Sequence, residues 1–331
     1  MKTSSDEVAA NVGRSTPLMI GIAVLSILIV LTGGTLGWYV VNRKPLSELP
    51  VISVFPAPAY SYSIPNVTRP IGVALDETNN RLYITQTSGT RLVKVTDLQG
   101  NLLGTLKPPA DNALHTPVYI AIEPTSKDVY VSDRGSNEMY VYDKAGKYLR
   151  TLKPEGVKNW GPLAVAFAPD GTLYVADANA TPQVVRVLKT DGTAIRTIGA
   201  AEDLSFVNGL AVEADGSIAV GDSNNARVLV YSAAGQLKGT LARGDADSPI
   251  GLPRGLAVSD ANVLYIADST NQDVLIYSPT SSGIPVYANV FGDDGAGDGQ
   301  FQYPQGIATD THGHIFVADR ENNRVQVWTG R

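Results

Sequence analysis

Six segments of this chain repeat one pattern, and the repetition limits which folds it can adopt. In each segment a short strand of small and apolar residues is followed by a second strand that ends in a fixed polar residue. The fixed residues are Gln86, Asp133, Asp177, Asp222, Asp268 and Asp319. Their spacing of 44 to 51 residues is too long for solenoid units and suits four-stranded blades. The chain is therefore predicted to be all-β, a six-bladed β-propeller with four-stranded blades.

The fifth segment shows how one blade is built. Its four predicted strands are 254–258, 263–268, 273–277 and 285–291, with turn residues between them. The sixth segment stops after its third strand, whereas residues 60–64 precede the first segment and alternate as a strand does. We expect this N-terminal strand to complete the last blade, so that the ring closes without an open edge.

A single uncharged run of 24 residues, 18–41, precedes the repeats. It is long enough to cross a bilayer and too long for the apolar core of a cleaved signal peptide. We expect an N-terminal tail at 1–17, an uncleaved transmembrane helix at 18–41, a Pro-rich stalk at 42–58 and the propeller at 59–331. The flanking positive charges are nearly balanced, but a long folded domain is translocated largely regardless of its charge. The sequence thus favours a single-pass protein of the cell membrane with its propeller outside the cytoplasm.

Charge and cysteine content exclude several classes of function. The chain carries 26 Lys and Arg against 32 Asp and Glu, and four of the basic residues lie before residue 45. The remaining acidic surface repels phosphate backbones, so a nucleic acid is not expected as a partner. The absence of cysteine from the sequence excludes disulfides, thiol catalysis and Cys-ligated zinc.

The sixth segment resembles the repeat of the NHL-repeat β-propellers. The matching runs are 303–308 (YPQGIA), 314–319 (HIFVAD) and 322–328 (NNRVQVW). The fourth segment is nearly as similar, and the resemblance extends over about residues 60–331. It implies the six-bladed fold but no single function, because propellers include sensors, scaffolds, RNA binders and enzymes.

The repeated Asp is interpreted as structural. A residue that recurs in nearly every blade does not form the unique constellation that an active site needs. In the family this Asp and a turn Arg or Asn hold the hairpin between the second and third strands, since Asp accepts hydrogen bonds from turn amides. Structural roles are therefore expected for Asp133, Asp177, Asp222, Asp268 and Asp319. Turn clamps are expected between Asp222 and Arg227 and between Asp319 and Arg324.

Neither a metal site nor a cofactor is predicted. The related lyases that act on amidated peptide precursors hold zinc through histidines from separate blades, whereas His312 and His314 share one turn and His115 lies in a distant loop. We expect all three histidines at the surface. Lactonase-like propellers hold calcium with several axial oxygens, and only Glu123 and Glu213 qualify on the inner strands. A structural calcium ion is an alternative that the sequence leaves open, but these residues do not support it.

The residues that open the six inner strands are expected to line one end of the central channel. They are Ile71, Val118, Leu163, Asn208, Arg254 and Gln305. Three neighbouring blades offer apolar side chains and three offer polar ones, with Arg254 as the single charge. Tyr119 stands where the other inner strands carry Gly or Ala, and Trp160 is expected to overhang the apolar half as an aromatic anchor. We predict a binding site of Tyr119, Trp160, Asn208, Arg254 and Gln305.

Taken in this order, the residues predict a membrane-anchored, non-enzymatic propeller that binds a protein, peptide or glycan at one end of its channel. It would serve as a subunit or accessory factor of an envelope complex. The alternative is a metal-dependent lyase or lactonase-like hydrolase with an axial site. These two functions differ in whether the protein holds a metal ion.

Overall fold

The computed structural model describes residues 57–109, 115–242 and 249–330. The chain divides into two compact units, Met1–Ser53 and Val54–Arg331, and every described residue belongs to the second. The predicted tail, the predicted transmembrane helix at 18–41 and the stalk up to residue 56 lie outside the described residues. Within the described part, helical structure is limited to two short 3-10 turns, Glu77–Asn79 and Ser223–Asn225. No helix in these ranges has the length and apolarity needed to cross a membrane.

Strands account for the rest of the regular structure, beginning with β1 (Ala59–Ile64). Blade 1 consists of β2 (Pro70–Asp76), β3 (Arg81–Gln86), β4 (Val93–Thr96) and β5 (Leu102–Leu106). Blade 2 consists of β6 (Pro117–Ile122), β7 (Val129–Asp133), β8 (Glu138–Tyr142) and β9 (Tyr148–Leu152). Blade 3 consists of β10 (Pro162–Phe167), β11 (Leu173–Asp177), β12 (Val184–Leu188) and β13 (Ala194–Ile198). In each blade, strands that are consecutive in sequence are antiparallel neighbours.

The second half of the ring continues the same order. Blade 4 consists of β14 (Val207–Val212), β15 (Ile218–Asp222), β16 (Arg227–Tyr231) and β17 (Leu237–Ala242). Blade 5 consists of β18 (Pro253–Val258), β19 (Leu264–Asp268), β20 (Asp273–Ser278) and β21 (Val286–Phe291). A short parallel pair, β22 (Asp293–Asp294) and β23 (Gln300–Phe301), leads into blade 6. Blade 6 contains β24 (Pro304–Thr309), β25 (His314–Asp319) and β26 (Arg324–Thr329). The predicted all-β, six-bladed architecture with four-stranded blades is thus confirmed.

The sixth blade obtains its fourth strand from the other end of the described chain. Its strand order is β1-β26-β25-β24, and β1 runs antiparallel to β26 from the pair Ala59 and Thr329 to the pair Ile64 and Val325. Ile64 and Val325 also belong to one buried apolar cluster. The predicted closing strand is therefore confirmed, and closure buries apolar surface as well as pairing an edge.

Neighbouring inner strands are in contact around the whole ring, because small residues let them approach. A Cβ atom on Gly255 would lie 2.1 Å from the carbonyl oxygen of Gln305 in the next inner strand. A Cβ atom on Gly306 would lie 2.3 Å from the carbonyl oxygen of Ile71. Glycine is thus required at both positions by the approach of blades 5, 6 and 1.

The apolar core lies between adjacent blades. The second strands β11 and β15 are buried along their whole length, since both faces of a blade meet a neighbour. The fourth strands β5, β9 and β13 are mostly exposed at the perimeter. This arrangement leaves the turns at the two ends of the channel as the surfaces on which the blades differ most.

Candidate binding site at the channel mouth

The sequence-predicted residues lie at one end of the channel. In each blade, the first residue of the inner strand pairs with the repeated polar residue that ends the second strand. The pairs are Pro70 with Gln86, Pro117 with Asp133, Pro162 with Asp177, Val207 with Asp222, Pro253 with Asp268 and Pro304 with Asp319. We call this end the mouth. The loop before each inner strand and the turn after each repeated Asp therefore both lie there.

The repeated Asp residues are buried, and their carboxylates are hydrogen-bonded to the protein's own backbone. Each accepts a hydrogen bond from an N–H group in the loop that leads into the inner strand of its blade. The donors are Thr116, Gly161, Ser205, Leu252 and Gln302, at 2.7 to 3.0 Å. Gln86 accepts from the N–H of Thr68 at 3.0 Å in the same way. These bonds tie the loop to the second strand in all six blades, which is an architectural role.

Arginine side chains complete this clamp in three blades. Nε of Arg227 donates to Asp222 and Nε of Arg324 donates to Asp319, each at 2.7 Å. In blade 3 the partner of Asp177 is Arg186, at 2.6 Å, a residue that the spacing of the repeats did not single out.

Blade 5 departs from this arrangement. Asp268 pairs across the strands with Asp273, so two carboxyl groups stand where blades 4 and 6 have an ion pair. The pKa of Asp273 is raised to about 7, chiefly by burial and also by the negative charges of the nearby Asp268 and Asp293. Oδ1 of Asp273 is buried without a hydrogen-bond partner among the described residues. This carboxyl group therefore lowers the stability of blade 5 at neutral pH.

Tyr119 crosses the channel. Its hydroxyl donates a hydrogen bond to Oδ1 of Asn208 at 2.9 Å, which joins blade 2 to blade 4. Burial raises the pKa of the Tyr119 phenol, against the opposing effect of Arg254 and Arg134, so the hydroxyl stays protonated. A cavity of about 50 Å³ remains beside it, lined by the inner strands. That volume holds a few water molecules, whereas pockets for small organic ligands are typically ~300–1,000 Å³.

Asn208 and Gln305 are buried and link neighbouring blades. Nδ2 of Asn208 donates to Oγ of Ser223 at 2.9 Å, and that hydroxyl donates to the carbonyl of Pro253 in the next blade. Nε2 of Gln305 in blade 6 donates to Oγ of Ser269 in blade 5 at 3.2 Å. Both side chains therefore connect neighbouring blades beneath the surface of the mouth, and neither lies on that surface.

Above this layer, five side chains form a row that we call the cation–π ladder: Arg134, Phe206, Arg254, Tyr303 and Arg320. The guanidinium carbons of Arg134 and Arg254 lie 5.1 and 5.5 Å from the ring centre of Phe206. Those of Arg254 and Arg320 lie 5.9 and 5.4 Å from the ring centre of Tyr303. Distances below ~6 Å are within the range of cation–π attraction. The ladder thus alternates three cations with two rings.

Both rings of the ladder sit on a backbone that is unusual for aromatic residues. Phe206 and Tyr303 each precede an inner strand, with φ of 60° and 59°. This left-handed region is rarely occupied by residues with large side chains. The N–H of Phe206 donates to Oε1 of Gln183 at 2.7 Å, and the N–H of Tyr303 donates to Oε1 of Gln272 at 2.5 Å. A glutamine of the preceding blade thus holds the backbone that carries each ring.

Positive charge is only partly neutralised at the ladder. Glu321 pairs with Arg320 at 2.8 Å and with Arg69 at 2.6 Å. Among the described residues no carboxylate pairs with Arg134 or Arg254. The Nε atoms of Arg254 and Arg320 are buried, also without a partner in that part of the chain. Burial lowers the pKa of Arg320, and the nearby Arg69 and Arg254 lower it as well, while Glu321 opposes them.

Trp160 does not overhang the mouth, and its predicted position was wrong. Its side chain is 3% exposed and belongs to the largest buried cluster, together with Leu163 and Val118. The loop that carries it is held by Asn179, whose Nδ2 donates to the carbonyl of Trp160 at 3.2 Å. An indole ring gains more by burying its large apolar area than by standing in water, which explains the inward position.

The histidines and acidic residues considered as metal ligands are dispersed. His312 is exposed, and Nδ1 of His314 lies 2.6 Å from Oδ2 of Asp310, in a turn at the end opposite the mouth. His115 is partly buried with both ring nitrogens out of contact with water, so its predicted surface position was wrong. Glu123 accepts from the amide of Thr125 at 2.8 Å, as a turn cap. In the described ranges no three His, Asp or Glu residues are grouped to hold a metal.

Sequence reasoning found Arg254 but missed its partners. Arg134 and Arg320 both follow directly after a repeated Asp, and Phe206 and Tyr303 both directly precede an inner strand. Aligning the flanks of the repeats, in addition to the repeated strands, would have shown that these positions converge at the mouth.

Comparison with known proteins supports the repeat and the fold. Residues 301–328 match the NHL repeat family. The chain is 48% identical over 46 residues to E3 ubiquitin-protein ligase TRIM71 of Rattus norvegicus and 51% identical over 39 residues to Protein lin-41 of Caenorhabditis elegans. These stretches cover 14% and 12% of this chain, but only 5% and 3% of the two relatives.

Solved structures share the propeller fold at low identity. A chain of a nidogen/laminin complex superposes with a TM-score of 0.59 at 20% identity, over 75% of this chain and 84% of the other. A streptogramin B lyase gives 0.59 at 11% identity, over 83% and 98%. The virginiamycin B lyase of Staphylococcus aureus gives 0.58 at 15% identity, over 82% and 99%. The chain therefore carries an NHL repeat in its sixth blade and shares the propeller fold with these proteins.

Proposed function

We propose that this chain is a binding protein that recognises a protein or peptide at the mouth of its propeller. The observation that carries this proposal is the pair of layers at the mouth. Tyr119 and Asn208 bridge the channel, and the cavity that remains among the described inner strands is about 50 Å³, which is small for an organic substrate. The cation–π ladder lies above them, and within the described residues no carboxylate pairs with its Arg134 or Arg254. A surface of partly exposed arginine and aromatic side chains has the composition of protein-binding hot spots.

The comparisons are consistent with a protein partner. An NHL repeat occurs in the sixth blade, and one of the solved propellers with this fold comes from a complex of nidogen with laminin. The matched stretches of the ubiquitin ligase and of lin-41 are a small part of those proteins, so their activities are not transferred to this chain.

An enzymatic function has less support. Two solved propellers with this fold are lyases, at 11% and 15% identity, where only the fold can be compared. The described residues provide no metal-holding group of three ligands, and the axial cavity is small. The metal-dependent lyase or lactonase-like hydrolase therefore stays the second candidate, without a specific observation in its favour.

We also propose, from the sequence alone, that residues 18–41 anchor the protein in the cell membrane with the propeller outside the cytoplasm. The same proposal includes a glycan as an alternative partner and a role for the protein as a subunit or accessory factor of an envelope complex. Protease added to intact cells should remove epitopes beyond Pro45 and spare the N-terminal tail. Protection of the propeller until the cells are lysed would reverse the orientation.

The binding face can be tested with two bulky substitutions in blade 5. Thr270 is exposed in the turn after Asp268 at the mouth, and Ala261 is exposed in the turn at the opposite end. Peptides selected from a diverse display library on the purified full-length chain should bind Thr270→Trp at least about tenfold more weakly, because an indole covers the mouth. Binding to Ala261→Trp should be unchanged. Loss of binding in Ala261→Trp alone would place the ligand at the other end.

A further inference from the structure

We infer that the mouth binds an acidic peptide segment, whose carboxylates pair with the guanidinium groups of Arg134, Arg254 and Arg320. This inference rests on the proposed function, because it specifies the chemistry of the ligand at the same face. It commits to a peptide with carboxylates at alternate positions of an extended chain, which stand ~7 Å apart on one side.

The linear order of the ladder suits an extended ligand. Each neighbouring pair of guanidinium groups shares one ring, so the cations of blades 2, 5 and 6 form a row in place of a single cluster. A guanidinium presents several N–H donors in a plane that matches the two oxygens of a carboxylate. Contact with a ring restricts the motion of each guanidinium, which reduces the entropy lost when a carboxylate binds.

The charge balance of the mouth requires a counter-charge. Within the described residues Glu321 is the acid at the ladder, and it is shared between Arg320 and Arg69. Partly buried guanidinium groups of like charge destabilise one another, and they are usually found paired. Arg254 has a buried Nε without a partner in that part of the chain, while one of its terminal nitrogens makes a long bond of 3.3 Å to the Tyr303 hydroxyl. An external carboxylate would satisfy these donors.

The backbone under the ladder has a feature that is common at functional sites. The left-handed backbone at Phe206 and Tyr303 costs free energy, and strained residues of this kind cluster at ligand-binding sites. Gln183 and Gln272 occupy equivalent places, directly before the third strands of blades 3 and 5. The side-chain oxygen of each accepts a hydrogen bond from the backbone N–H of the strained residue, Phe206 or Tyr303, in the next blade. The two rings are therefore positioned by the fold before any ligand arrives.

A nucleic acid fits this surface less well than a peptide. Each ring of the ladder already packs against two guanidinium groups, which leaves little ring surface for the base stacking that dominates binding of single strands. The chain as a whole carries a net charge of −6, which opposes a long phosphate backbone but not a short acidic segment on a local patch.

The test is a binding titration with the purified full-length chain. The probes are a short fluorescent peptide with Asp at alternate positions, the same peptide with Asn in place of Asp, and a single-stranded RNA of the same net charge. Inorganic phosphate and free aspartate serve as competitors. The variants are Arg254→Gln, Arg134→Gln and Arg254→Lys. The control is Arg150→Gln, because Arg150 also lies over a ring, 5.9 Å from that of Tyr130, but on β9 of blade 2, away from the ladder.

The Asp peptide should bind, and the Asn peptide should bind at least about tenfold more weakly. Arg254→Gln should lose at least about tenfold in affinity for the Asp peptide, Arg134→Gln should lose severalfold, and Arg150→Gln should bind as the wild type does. Arg254→Lys keeps the charge without the planar donor pair and should fall between the wild type and Arg254→Gln. Arg134 is exposed, so its variant reports on binding even if Arg254→Gln unfolds.

The inference would be overturned by equal affinity for the Asp and Asn peptides, by wild-type affinity in both Arg254→Gln and Arg134→Gln, or by tighter binding of the RNA than of the Asp peptide. Competition by phosphate at the same concentration as free aspartate would reduce the site to a general anion site and also overturn it. If the Asp peptide fails while library peptides still bind and are blocked by Thr270→Trp, the proposed function stands and this inference falls. If no library peptide binds at the mouth, the proposed function itself is wrong.

Discussion

The hydroxyl of Tyr119 and Oδ1 of Asn208 lie 2.9 Å apart, although the residues are 89 positions apart in sequence and belong to blades that are not neighbours. The main contacts between inner strands join neighbouring blades. This hydrogen bond therefore adds a connection across the channel, made at the one inner-strand position where a large side chain replaces Gly or Ala.

Removing the Tyr119 hydroxyl should destabilise the propeller. In Tyr119→Phe the buried oxygen of Asn208 loses its donor, which should lower the free energy of unfolding by about 1–3 kcal/mol. Chemical denaturation measures the change. Tyr148→Phe removes a hydroxyl that bonds Thr151 on the exposed β9 and should change the free energy of unfolding by less than about 0.5 kcal/mol. Equal effects of the two substitutions would mean that the bond across the channel contributes nothing.

The stability of blade 5 should depend on pH through Asp273. Its pKa is raised from 3.8 to about 7 in the folded protein, so the folded state holds a proton that the unfolded state releases between these values. The free energy of unfolding should therefore fall as pH rises from about 4 to 7, by roughly 1–3 kcal/mol for this group. Asp273→Asn should remove that part of the pH dependence. Asp273→Arg should go further and raise stability at neutral pH, because it restores the ion pair seen at Asp222 and Asp319.

Thermal unfolding measured at several pH values tests this difference. Asp260→Asn, on an exposed turn of the same blade, is the matched control and should keep the pH profile of the wild type. If Asp273→Asn also keeps that profile, Asp273 titrates normally and its burial has no energetic consequence.

Deleting residues 59–64 should open the sixth blade. The deletion leaves the edge of β26 unpaired and uncovers apolar side chains such as Val325 and Val327, which pack with Ile64. Unpaired edges with apolar neighbours associate, so the shortened protein should aggregate. Size-exclusion chromatography measures this. A soluble monomer that unfolds cooperatively at the wild-type denaturant concentration would show that β1 is dispensable.

Metal analysis separates the two candidate functions. We expect the purified protein to carry no stoichiometric zinc or calcium, since the candidate ligands of the described residues are dispersed. Changing His115, His312 and His314 together to Gln should therefore leave peptide binding intact. A stoichiometric metal ion that is lost in this triple variant would favour the enzymatic alternative.

The sequence predicted the ring well because its signal is repeated. Asp133, Asp222 and Asp319 recur at nearly constant spacing, and every recurrence tests the same interpretation of strand and turn. The closing strand at 60–64 followed from counting strands, and the structure places it within one residue of that prediction. Periodic features of this kind need no knowledge of distant contacts.

The mouth was harder to predict because its contacts join unlike positions of different blades. Phe206 precedes a strand, Arg254 lies within one and Arg134 follows one, so no single repeat contains the ladder. Trp160 was misplaced for a related reason. A loop position indicates exposure, but only the surrounding blades determine whether an indole finds an apolar space to fill.

The closing of the ring by β1 also determines how the propeller responds to mechanical tension. Chain that precedes residue 57 pulls first on β1, whose initial pair is Ala59 with Thr329. A pull across the strands breaks the pairs with β26 one after another, whereas a pull along the strands loads all of them together, because the bonds lie perpendicular to the strand axis. Ring opening under force therefore depends on the direction of attachment, and the strand that completes the fold is the first to yield.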